Sequence, residues 1–137
     1  MELDDVTGAI VDGAIRIHRE MGPGLRESVY ERLLGSSLQQ RGLRVERQRP
    51  IALSHGGISF KEGFRLDLIV DKRVIVEVKS LERLAPVHTK QLLTYLRLTN
   101  FRVGLLLNFG GARMKEGIRR VVNDLDPSDS SRLRINR

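Results

Sequence analysis

Val6, Ile10, Ala14, Ile17 and Met21 recur at three- and four-residue spacing, which predicts an amphipathic helix over about 3–20. Gly22-Pro23-Gly24 ends it. Tyr30, Leu33, Leu34 and Leu38 form a second stripe, giving a helix from about Leu25 to Gln40 with Gly42 as its C-terminal breaker. From 43 to 53 the pattern is extended, but Pro50 has no amide hydrogen and demotes the stretch to an edge or irregular strand. Ser54-His55-Gly56-Gly57 reads as a turn. Better strands follow over about 64–70 and 74–79, then a helix over 86–99 opened by Pro86 and a leucine-rich strand over 102–108. A last helix is expected over roughly Met114–Asp124. The order α, α, β, β, β, α, β, α alternates only in part, which favours a mixed sheet flanked by helices. Residues 1–125 make one domain by length; 126–137, polar and aperiodic, read as a flexible tail.

Two of these strands break the apolar pattern from within. In FRLDLIVDKRVIVEVKS the acids Asp67 and Glu77, and Lys79, fall where a packed core wants hydrocarbon. If Asp71-Lys72-Arg73 is a three-residue turn, Val70 pairs with Val74, Asp67 lies opposite Glu77, and Arg65 lies opposite Lys79. Asp67 then shares its face with Arg65 and Ile69, and the two acids stand side by side with Cβ atoms about 4.5–5.5 Å apart. Carboxylates that close repel unless a cation lies between them. Mg²⁺ suits two carboxylates with retained water, Mn²⁺ being its natural substitute. Lys79, two residues on, can neutralise charge on a phosphate. The plainer alternative is a surface pair of acids matched by Arg65 and Lys79.

Charge sharpens the choice of partner. Lys and Arg number 24 against 17 Asp and Glu, a net +7, which favours a polyanion. The basic residues cluster at Arg41, Arg44, Arg47 and Arg49 and again at Arg113, Lys115, Arg119 and Arg120. Aromatic residues are too few and scattered for a base-stacking platform, so nucleic-acid contacts should fall on phosphates. The chain has no cysteine, no apolar run long enough for a bilayer and no recognisable signal peptide; a cytoplasmic protein without a membrane partner is expected. His18, His55 and His88 are too far apart for a metal site, no GK[ST] follows the glycine-rich stretches, and no GxSxG elbow is present.

The hairpin resembles the core of the PD-(D/E)XK nuclease superfamily, Asp67 standing for its D and Glu77-Val78-Lys79 for its ExK, with Leu66 where the pattern has proline. Gly24-Leu25-Arg26-Glu27-Ser28-Val29-Tyr30 resembles the GxxExxY pattern of a small family within it, and Leu105–Gly110, LLLNFG, its last core strand. The similarity runs over roughly residues 3–123. It implies an α/β restriction-endonuclease-like fold with an α-β-β-β-α-β core, and Mg²⁺-dependent phosphodiester hydrolysis, with DNA the expected substrate. Asp67, Glu77, the Val78 backbone carbonyl and Glu27 would hold the metal, and Lys79 would act in the chemical step. Gln91 and Tyr95 match the QxxxY element of the RecB-like branch and, with Arg41, Arg44, Arg47, Arg113 and Arg119, would contact nucleic acid. Tyr30 reads as structural. Such nucleases often pair as homodimers, although no residue here fixes that. A catalytically silent nucleic-acid-binding or assembly module remains the alternative.

Overall fold

The segment VIVEVK is apolar at nearly every position, so as a strand it must be covered on both faces, and β3 (Val74–Lys79) indeed lies at the centre of the sheet. The computed structural model describes residues 1–124; the expected tail lies outside the described residues. Before β3 come α1 (Leu3–Met21), α2 (Glu27–Gln40), β1 (Val45–His55) and β2 (Ile58–Val70). After it come α3 (Pro86–Thr99), β4 (Val103–Asn108), a 3₁₀ turn (Met114–Gly117) and β5 (Ile118–Val122). The five strands lie in chain order, β3 and β4 parallel and all other neighbours antiparallel. Among the described residues no helix is long and apolar enough to cross a membrane.

Two cores sandwich the sheet. Leu68, Val70, Val74, Val76 and Val78 pack with the apolar stripes of α1 and α2, while Leu66, Ile69, Ile75 and Leu106 pack with Leu92 and Leu96 of α3. Helix α3 sits so close to β4 that a Cβ on Gly104 would lie 3.0 Å from Leu92.

The Asp71–Arg73 turn is confirmed, with Val70 opposite Val74. Two expectations are corrected. The segment 114–124 is a short 3₁₀ turn and a strand; β5 half-buries Ile118 and Val121, three residues apart, and exposes Arg119 and Arg120, a spacing that reads as helical although the segment pairs with β4. Strand β2 starts at Ile58 rather than near 64, because its first residues form a two-stranded arm with β1 in which Ile58 and Phe60 stay exposed. Strand β1 is the edge strand that Pro50 implies, with a bulge between Ile51 and Leu53.

Gly104→Val should force α3 off β4 and lower stability by about 1–3 kcal/mol, read as a drop in urea midpoint. An unchanged midpoint would mean that α3 is not seated on this strand.

Candidate active site

Asp67 has no partner in either ladder. The pairing of β2 with β3 stops at Leu68↔Val76, and that with β1 passes from Arg47↔Leu68 to Arg49↔Leu66. Alternation also slips here, since Leu66 and Leu68, two residues apart, belong to opposite cores. The side chains fill the opening. Asp67 Oδ2 accepts the Val78 N–H at 2.8 Å, and Glu77 Oε2 accepts the Asp67 N–H at 2.9 Å. The two carboxylates, opposite one another by the register of the hairpin, meet in the gap between the strands, each bonded to backbone beside the other.

Burial and mutual repulsion govern this pair. Glu77 is only 5% exposed, and burial, then the Asp67 charge, pushes its carboxyl up to about 8. Asp67 is also raised, first by burial, with the Val78 N–H opposing and the charges of Glu31 and Glu27 adding to it. Lys79 pulls both acids down, and among the described residues its ammonium makes no ion pair.

Glu27 opens α2 and faces the end of β3, where its Oε2 accepts the Ser80 N–H at 3.2 Å. The preceding loop is clasped by the buried Tyr30, whose hydroxyl donates to the Gly22 carbonyl at 2.5 Å, accepts the Leu25 N–H at 3.0 Å, and whose ring stacks on Phe109. Leu25 in turn accepts from the Ser80 hydroxyl at 2.6 Å. Asn108 ties the loops after β3 and β4, accepting the Leu81 N–H at 2.8 Å and donating to its carbonyl at 2.9 Å. A Cβ on Gly110 would strike the Leu81 backbone. Between these segments opens a cleft of about 760 Å³, lined by Glu27, Glu31, Gln48, Asp67, Ser80 and Gly110 among others.

Tyr95 stacks on Phe64 with ring centroids 4.4 Å apart. Its hydroxyl pKa is raised by burial and then by the charges of Glu77 and Asp67. Gln91 is exposed on the same helix. Arg47 reaches the cleft wall through Glu31, at 3.0 Å. Arg119 stands opposite Leu106, itself opposite Glu77, about 10 Å away by strand spacing, with its guanidinium on the carbonyls of Glu116 and Ile118. Arg113 lines a smaller cavity with Arg19 and Lys115, just past Gly110. Arg41 and Arg44 are not brought to the acids. They lie at the opposite end of the sheet, where the Arg44 carbonyl accepts the Asp71 N–H.

Glu31 and Gln48 escaped the sequence reading. Glu31 is 3% exposed, and Gln48 reaches both it and Asp67. The four-residue step from Glu27 to Glu31 places both on one helix face and was the available signal.

The carboxylates of Asp67 and Glu77, with the neighbouring Val78 carbonyl, suit a hard divalent ion that keeps several waters. Among the described residues no three His, Cys, Asp or Glu side chains are gathered as a ready cage; Glu27 bonds the Ser80 N–H from the wall of the same cleft.

Comparison with known proteins agrees in family. A family model described as the PD-(D/E)XK nuclease superfamily matches residues 4–121. No curated protein matches the chain significantly. Among solved structures it is similar to that described as the crystal structure of SSO0001, with 20% sequence identity, a TM-score of 0.47, and coverage of 96% of this chain and 72% of that one.

Glu77 keeps its proton to about pH 8 when folded and to about 4.5 otherwise. The folded state binds the extra proton between those values, so stability should fall as pH rises through that window. Thermal unfolding across it, without divalent ions, should show a smaller decline for Glu77→Gln than for the wild type. Parallel profiles would show that Glu77 is ionised throughout.

Proposed function

The chain belongs to the PD-(D/E)XK nuclease superfamily, its three helices and five-stranded mixed sheet forming an α/β restriction-endonuclease-like fold, and on that premise we propose that it is a Mg²⁺-dependent nuclease acting on DNA. The observation that carries this reading is the meeting of Asp67 and Glu77 in the opening between β2 and β3. A buried Glu77 and a half-buried Asp67 held that close favour a cation over solitude.

Asp67, Glu77 and the Val78 carbonyl would hold the divalent ion, which when bound would supply charge neutralisation at the phosphate and lower the pKa of a water. Lys79 follows Glu77 at the mouth of the cleft and places its ammonium against the phosphate, where developing negative charge is greatest. Glu27 fixes the backbone at Ser80 and so the direction in which Lys79 projects. Arg113 and Arg119 lie on the cleft side of the sheet end and take flanking phosphates, with Gln91 and Tyr95 approaching the strand from α3. Arg41 and Arg44 are too far along the sheet to act on the same phosphates.

Single-turnover assays on labelled duplex and single-stranded DNA and RNA, across Mg²⁺ and Mn²⁺ titrations, test the reading. Lys79→Ala should slow cleavage by about 10²–10³ while the ion is still bound, and the Asp67→Asn, Glu77→Gln double variant should be inactive. Cleavage surviving in the double variant, or no cleavage of any substrate by the wild type, contradicts it; binding without cleavage would favour a silent nucleic-acid-binding module.

Affinity should also fall steeply with salt. Arg113→Ala is expected to reduce the log-log salt slope by about one, and Arg44→Ala to leave it unchanged. The reverse ranking would place the nucleic acid at the other end of the sheet.

A further inference from the structure

Arg47 and Gln48 are consecutive residues of β1, yet both bond the same buried carboxylate. Arg47 Nη2 donates to Glu31 Oε2 at 3.0 Å, and Gln48 Nε2 donates to Glu31 Oε1 at 2.5 Å. In a regular strand, neighbours point to opposite faces. Gln48 escapes this because its φ is +52°, a left-handed conformation uncommon outside glycine. The residue opposite, Asp67, is where β2 slips as well, and the two slips cancel, since Arg47↔Leu68 and Arg49↔Leu66 stay in register. Gln48 Nε2 also approaches Asp67 Oδ1 at 3.5 Å, the long end of the hydrogen-bond range. An amide nitrogen has two hydrogens, and here they face two carboxylates.

We propose that Gln48 is a positioning residue: anchored on Glu31, its neutral carboxamide holds the Asp67 carboxylate in the orientation that grips the Val78 N–H and faces Glu77. This rests on the site described above as the reaction centre. A neutral donor suits the role. A lysine would pair with the acids and reduce their pull on a cation, and an aliphatic side chain would leave Asp67 Oδ1 and Glu31 Oε1 without a donor. The left-handed backbone turns the carboxamide to the α2 face, and burial of Glu31 beside Arg47 fixes its far end.

The test uses Gln48→Gly, which accepts the left-handed backbone and removes the whole side chain, its carboxamide included. Amide hydrogen exchange of the full chain, without metal, should become faster at Val78 while Val76, within the regular ladder, keeps its wild-type rate. Mn²⁺ affinity by calorimetry should fall by about 10–100-fold. Wild-type exchange at Val78, equal acceleration at Val78 and Val76, or unchanged Mn²⁺ affinity would each overturn the proposal, the second by showing a merely structural role. If the wild type binds no Mn²⁺ and cleaves nothing, the nuclease reading fails while Val78 exchange still decides the positioning. If the wild type cleaves and Val78 exchange does not change in Gln48→Gly, the positioning alone fails.

Discussion

Two acids, Glu77 buried and Asp67 half-buried, replace a rung of the β2–β3 ladder, and the arrangement of the site follows from that exchange. A backbone amide at a strand opening needs an acceptor. Asp67 supplies one to Val78, and Glu77 supplies one to Asp67. Both carboxylates are thereby fixed by the backbone that carries the other, and neither can turn away without leaving an N–H unpaired. The gain in hydrogen bonding is set against crowding of two charges where little water reaches, which is why both acids hold their protons above the ordinary range. A site with these properties is more stable with positive charge added.

The surrounding elements keep the opening from closing or widening. Helix α2 contributes Glu27 at its first turn and Glu31 one turn on, the first holding the end of β3 and the second holding β1 through Arg47 and Gln48. The Tyr30 hydroxyl secures the loop that feeds this helix. On the far side, Asn108 and the bare Gly110 let the loops after β3 and β4 lie against each other. Thus Gly24, Glu27 and Tyr30 serve one mechanical purpose: they set the first turn of α2 against the end of the central strand.

Much of this was legible in the chain. The helical stripes of α1 and α2, the doubly buried runs of β3 and β4, and the odd-length turn at Asp71–Arg73 are strong periodic signals, and misplaced acids inside apolar strands pointed to the candidate site. What escaped depended on local exceptions. In the outer β1–β2 arm Ile58 and Phe60 alternate yet stay exposed, so no buried face anchors the pattern. The slip at Asp67 and the left-handed Gln48 cancel in register, so counting residues across the hairpin gave the right neighbours without showing either exception. Glu31 gave no signal by itself because its partners lie on a strand more than a dozen residues away. The basic clusters were visible as charge, but only the tertiary structure separates Arg113 and Arg119, near the cleft, from Arg41 and Arg44 at the distant turn.

The pair of acids in the strand opening is the central claim, and anomalous diffraction from a crystal soaked in Mn²⁺ addresses it most directly. One anomalous peak should appear within coordination distance of both Asp67 and Glu77, with the Val78 carbonyl beside it, and should vanish in Asp67→Asn. A peak elsewhere with none between these carboxylates, or no peak at saturating Mn²⁺, would contradict the account.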